Sequence, residues 1–214
     1  MNAGYSFISA SVKAVESEPW MLNGYRMLDL ILGKQKETLV GRGAVPSRYK
    51  AFTPALMAAV TQFTQQGGSV LVTGAYVGSD IWDKRNPAQA EVNFARDVLG
   101  FQWVDCQATL LGQVYTVPTI HHELGDNHHW TFCNKLNGKL YAVESPDAVK
   151  ASDDNGATFL RYTENNIPAG IVSDRNGYRT VVTGVPFEVF DKADQRNTMM
   201  QEVLNFFERE YAVQ

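Results

Sequence analysis

All four histidines of the chain fall within nine positions, in the stretch TIHHELGDNHHW at 119–130. Glu123 and Asp126 stand among them, and Cys133 follows. Imidazole, carboxylate and thiolate are the groups zinc takes as ligands, so metal chemistry is the first question. The spacing argues against it. Neighbouring side chains on a strand point to opposite faces, which separates His121 from His122. The zincin pattern H-E-x-x-H holds its histidines four apart on a helix. Here His122-Glu123 is followed by Leu124, Gly125 and Asp126. Gly125 and Asn127 suit a loop. The set left to hold a metal is His122, Asp126 and His128. The bland reading, a solvated polar loop at 121–129, is preferred to a metalloenzyme, and no cofactor is expected.

A second chemical pattern lies at 70–80, VLVTGAYVGSD. An apolar strand runs into G-A-Y-V-G, the outline of a nucleophile elbow, in which small residues flank a turn that lifts one side chain above a sheet. The middle position is Tyr76, and a phenol with a pKa of about 10 is a poor nucleophile at neutral pH. The alternative is a tight strand–loop crossing that needs glycine because another element passes close by. In parallel α/β sheets ligands bind beyond the carboxyl ends of the strands. Three loops should leave those ends, carrying Lys34, then Tyr76 with Ser79 and Asp80, then Glu188. Arg42 in the long polar loop at 34–48 is expected at the same rim. With Trp82 as a stacking surface, Lys34, Arg42, Tyr76, Ser79, Asp80 and Glu188 make a candidate ligand site for sugars or anions. Tyr76, Asp80 and Glu188 are the candidate catalytic residues if the rim is a rearranged active site. ESPDAV (144–149) and RYTENN (161–166) read as structural turns.

The elements that must position these residues follow from periodicity. GYSFIS (4–9) reads as a short strand and ASVKAVES (10–17) as a short helix. YRMLDLILG (25–33) and SVLVTG (69–74) read as strands buried on both faces. Phe52, Leu56, Ala59, Val60 and Phe63 recur at helical spacing, with Thr53 as cap, Pro54 in the first turn and Gly67-Gly68 as the stop. NPAQAEVNFARDVLG (86–100) reads as a helix. From about 101 to about 175 the pattern changes to short alternating segments, with Asn137-Gly138 as a hairpin signal. YRTVVTGVPF (178–187) returns to a buried strand, and a helix capped by Asp191 closes the chain. Strands alternating with helices predict parallel βαβ units.

Composition narrows the classes. The chain has 214 residues, a formal net charge of −4 and 44% hydrophobic residues. No basic stripe with aromatics is present, so nucleic acid is not expected as a partner. No apolar run reaches the roughly 18–20 residues of a membrane span, and residues 1–20 lack a signal-peptide pattern. Cys106 and Cys133 leave a disulfide open.

Several blocks carry a resemblance: LDLILGKQKET, GRGAVPSRYKAF, QQGGSVLVTGAYVGSDIWD, FARDVLGFQW, YAVESPDAV, RYTENNIPAGI and YRTVVTGVPFE. In this order, over about residues 4–207, the chain resembles the C-terminal α/β region of bacterial xanthan-lyase-like secreted multidomain proteins. In architecture it resembles the class I glutamine-amidotransferase-like, flavodoxin-like fold. The resemblance implies a three-layer parallel α/β domain over 1–214, with a β-rich antiparallel insertion at about 101–175 before the last strand and helix. It also implies a C-terminal piece of a secreted or cell-envelope protein, or a cytoplasmic one if the chain is complete. Amidotransferases carry Cys where Tyr76 stands and His where Pro186 stands. The expected function is therefore a non-catalytic domain for carbohydrate or partner binding, or scaffolding against other domains of its parent chain. A polysaccharide lyase or hydrolase using Tyr76, Asp80 and Glu188 is the alternative.

Overall fold

The computed structural model describes residues 4–38, 49–119, 127–175 and 177–209. Its first half follows a βαβ order. Helix α1 (Val12–Ser17) and a 3-10 turn (Pro19–Leu22) precede β1 (Met27–Gly33), α2 (Pro54–Gln65) and β2 (Ser69–Gly74). The short α3 (Ser79–Trp82) and α4 (Gln89–Asn93) follow, the latter continuing as a π-helical turn to Val98. Strands β3 (Phe101–Asp105), β4 (Gln113–Thr116), β5 (His129–Thr131), β6 (Ala148–Ala151), β7 (Gly156–Tyr162), β8 (Pro168–Arg175) and β9 (Tyr178–Thr183) come next, and α5 (Ala193–Glu208) ends the described chain.

Seven strands form one curled sheet in the order β1-β2-β9-β8-β7-β4-β5, and β3 pairs with β6 beside it. Only β1–β2 and β2–β9 are parallel; the other four adjacent pairings are antiparallel. This corrects the expected three-layer parallel, flavodoxin-like or amidotransferase-like sheet. The physical reason lies in 101–175. Those strands, expected as an insertion, supply β4, β5, β7 and β8 of the main sheet and reverse its direction. They are joined by turns rather than helices, so helical content is low. Asn166, with φ +62°, turns the chain between β7 and β8, as a residue tolerant of the left-handed region can.

Local chemistry accounts for the elements that form. Thr53 Oγ1 accepts the N–H of Leu56 at 3.2 Å, and Pro54 opens α2. Leu56, Val60 and Phe63 then bury one side of α2 against Leu30, Leu32, Val70, Val72 and Val182 of the sheet. Each such side chain contributes about 1.5–3 kcal/mol on burial. On the opposite face Met199, Val203 and Phe206 of α5 pack with Leu71, Val172 and Val181. Strand β2 is buried along its whole length. Strand β1 is not: Leu30 and Leu32 are buried while Asp29 and Ile31 are exposed. It is an edge strand whose second face no described helix covers, so the expected two-sided burial fails there.

Other local expectations also fail for identifiable reasons. The expected strand at 4–9 does not form: the segment pairs with no described strand. The Asn137-Gly138 turn makes no hairpin; Asn137 Oδ1 accepts the N–H groups of Lys139 and Leu140 instead. Lys192, not Asp191, stands at the N-cap of α5. The disulfide that the sequence left open does not form: Cys106 and Cys133 are both free thiols.

Arg179 fastens α5 to the sheet. It is 2% exposed. Its Nε donates to Asp174 Oδ2 at 3.1 Å, and Nη1 donates to Phe206 O at 2.9 Å, a carbonyl in the last turn of α5. A cation at this end also meets the negative end of the helix dipole. Arg179→Ala leaves those carbonyls and Asp174 without their donor. It is expected to lower unfolding free energy by about 2–4 kcal/mol, measured by urea denaturation.

Candidate functional site

The parallel strands β1, β2 and β9 present their carboxyl ends together, and the turn after β2 is the tightest feature there. A Cβ on Gly74 would stand 2.9 Å from Leu32 Cβ, and one on Gly78 would stand 2.5 Å from Trp103 Cδ1. Both glycines are therefore set by close packing of neighbouring elements. The turn holds a carboxylate in place of a raised nucleophile. Asp147 is fully buried, and its Oδ2 accepts the N–H groups of Gly78 at 2.8 Å and Ser79 at 2.6 Å. Burial pushes its carboxyl up to about 6, against the pull of the two amides and the more distant Lys36 charge. The Asp147 main chain is engaged as well. Its N–H donates to Ala75 O at 2.9 Å, and its carbonyl accepts the Tyr162 hydroxyl at 2.7 Å.

The structure distributes the expected site residues over three surroundings. Asp80 is buried and structural: Oδ1 accepts the N–H of Glu37, and Oδ2 accepts that of Ala51 at 3.1 Å. It thereby joins the two ends of the 34–48 loop. Four charges reinforce that join, with Lys50 Nζ 2.9 Å from Glu91 Oε2 and Lys84 Nζ 3.0 Å from Glu37 Oε2. Arg42 lies outside the described residues. Ser79 is buried, its hydroxyl beside the Asp147 carboxylate. Trp82 packs edge-to-face on Phe101, with centroids 5.7 Å apart, so it serves the core rather than a ligand. Tyr76 is half-buried, with Lys36 Nζ 5.6 Å above its ring.

Lys34 and Glu188 do meet. They line one open hollow of about 310 Å³ with Ile31, Leu32, Gly33, Gln35 and Tyr141. It lies at the end of β1, over the sheet face that α5 leaves bare. Gly33 needs its φ of +54° to turn there, and a Cβ would meet the Tyr141 hydroxyl at 3.3 Å. Tyr141 donates to Glu188 Oε1 at 2.6 Å. Burial, that hydrogen bond and the carboxylate's charge all hold the phenol proton well above its usual range. Glu188 Oε2 is buried without a described partner. Lys34 Nζ is shared between Glu144 Oε2 at 2.7 Å and Ala142 O at 2.9 Å. The hollow thus offers a cation, a phenol held by Glu188 and an apolar wall. Tyr76 and Asp80 do not line it, so this hollow does not gather the three candidate catalytic side chains.

Sequence reasoning missed Asp147 and Tyr141. Asp147 was legible only as part of a turn, because its amide partners lie 69 and 68 positions away. Of the candidate metal set, His122 and Asp126 lie outside the described residues. His128 stacks on Trp130 and stands 3.2 Å from Glu202 Oε1. Among the described residues no three ligating side chains gather.

No family model matches the chain, and no curated protein matches it. Solved structures share its fold. The mmIFT52 N-terminal domain aligns with a TM-score of 0.55 and 11% identity, over 96% of this chain and 85% of that one. Cytoplasmic Protein STM3548 from Salmonella typhimurium aligns with a TM-score of 0.52 and 11% identity, over 97% of this chain and 78% of that one. A β-galactosidase from the Antarctic haloarchaeon Halorubrum lacusprofundi aligns with a TM-score of 0.52 and 16% identity, over 89% of this chain but 23% of its own length. None of the three is described as a xanthan lyase or an amidotransferase, and identities this low speak to fold alone.

The Asp147 site has a signature in pH. An unfolded aspartate titrates near 3.9, and the folded one near 6, so the folded chain holds more protons between these values. Stability from this site is therefore greatest below about pH 4 and falls as pH rises through about 6. The advantage of wild type over Asp147→Asn is expected to shrink by about 2–3 kcal/mol from pH 4 to pH 7, in paired denaturation series. A difference that stays constant with pH would contradict the assignment.

Proposed function

We propose that the chain is a non-catalytic binding module whose ligand is a hydroxyl-rich molecule such as a carbohydrate, held at the hollow beside β1. The observation that carries this reading is the commitment of its reactive groups. Asp80 receives two main-chain amides, the turn after β2 is filled by Asp147, and Glu188 keeps one oxygen on Tyr141. A general base needs a free lone pair within reach of a nucleophile, and Tyr76 has no carboxylate or imidazole partner among the described residues.

The hollow suits recognition. A sugar hydroxyl can donate to the Tyr141 oxygen, whose own proton Glu188 holds, and the apolar face of the ring can rest on Ile31. Such a ligand accords with a secreted or cell-envelope setting. Titration of neutral and acidic oligosaccharides, followed by chemical-shift changes at Gly33, Lys34 and Tyr141, is expected to saturate without turnover. Glu188→Gln should weaken binding about tenfold. Turnover that disappears in Tyr76→Phe would establish the catalytic alternative. Binding indifferent to Glu188→Gln would move the ligand elsewhere, and the absence of any carbohydrate binding would leave a protein partner as occupant.

A further inference from the structure

The outer edge of β1 and the segment at 5–9 are each incomplete, and in complementary ways. Arg26 O accepts the N–H of Ser69 at 3.0 Å, so alternate residues from Arg26 turn their peptide groups toward β2. Met27, Asp29 and Ile31 turn theirs outward, and no described group bonds to them. This edge carries little of what usually blunts one. It has no proline and a single charge, and its bulge comes only at the far end, between Ile31 and Gly33. Ile31 is 54% exposed.

The segment at 5–9, YSFIS, has the aromatic and β-branched content of a strand. Its backbone belongs to no helix, strand or turn and hydrogen-bonds to no described residue. Phe7 and Ile8 face solvent at 85% and 73% exposure. Two neighbouring large apolar side chains left bare on an unpaired, strand-forming segment mark an interaction surface. In its own chain the start of this arm lies toward Glu208 and Arg26, whose charges act on the Tyr5 hydroxyl. It leaves its own β1 edge open.

We propose that the arm at 5–9 pairs along the outer edge of β1 in a second copy of the chain, the two arms exchanged about a two-fold axis. Three outward peptide groups match a five-residue strand. Phe7 and Ile8 then lie beside the apolar side chains of β1, and one symmetric contact closes both edges. The partner is a second copy because the chain itself carries both halves of the contact.

Sedimentation or light scattering from about 1 to about 100 μM tests this. A concentration-dependent dimer is expected. The double variant Phe7→Asp/Ile8→Asp should be monomeric with unchanged circular dichroism, because both side chains are solvent-facing. Ile31→Pro removes one outward N–H without touching the β2 ladder and should also give monomer. If Ile31→Pro fails to fold, slow hydrogen exchange of the Ile31 amide in wild type, lost in the arm variant, reads the same contact. A wild-type monomer throughout the range, or a dimer that survives in either folded variant, overturns the proposal.

Discussion

The carboxylate of Asp147 on the amides of Gly78 and Ser79 is the contact on which the arrangement of the sheet ends depends. It ties the loop before β6 to the turn after β2. The same residue reaches β7 through the Tyr162 hydroxyl. It also closes on the exit of β9, where a Cβ on Gly184 would stand 2.0 Å from the Asp147 carbonyl oxygen. Three strands and a helix start are thus placed by one side chain and its peptide. Hydrogen bonds to a buried charge are worth about 1.5–3 kcal/mol each. The exposed pair Lys34–Glu144, at 2.7 Å, belongs to a class worth about 0–1 kcal/mol. The buried contact is therefore the one that decides the geometry.

That choice shapes what the rim can do. Main-chain amides at a strand-to-helix turn are a ready place for a substrate anion or an oxyanion. Here the chain's own carboxylate occupies them. Asp80 works in a similar way, spending its two oxygens on the amides that flank the 34–48 loop. Acidic residues that would suggest chemistry by type are used as anchors. Buried oxygens without a described hydrogen-bond partner remain at both places, Asp147 Oδ1 in the turn and Glu188 Oε2 beside β1.

The bare region beside β1 has a simple origin. Helix α5 packs over the centre of the sheet, with Arg179 holding its last turn against β9. The helix therefore does not shield the outer face of β1, and no described strand lies beyond it. An edge strand with one open face can accept a small ligand on the face and a strand on the edge. The two roles use different groups, side chains for the first and peptides for the second.

By itself the sequence determined α2 and β2. The Thr53-Pro54 start and the Leu56, Val60, Phe63 spacing specify α2, and the unbroken apolar run specifies β2. It also marked the glycine turn at 74–78 as a close crossing. These are properties of neighbouring residues, and propensity and periodicity act over a few positions. Strand direction, the edge position of β1 and the roles of Asp147, Asp80 and Glu188 came only with tertiary structure. The apolar pattern of 101–175 is the same whether its strands form an insertion or extend the main sheet. Asp29 within MLDLILG was the single local hint that one face of β1 is open. A carboxylate's role is set by which amides or phenols lie within about 3 Å of it, and those partners stand tens of positions away along the chain.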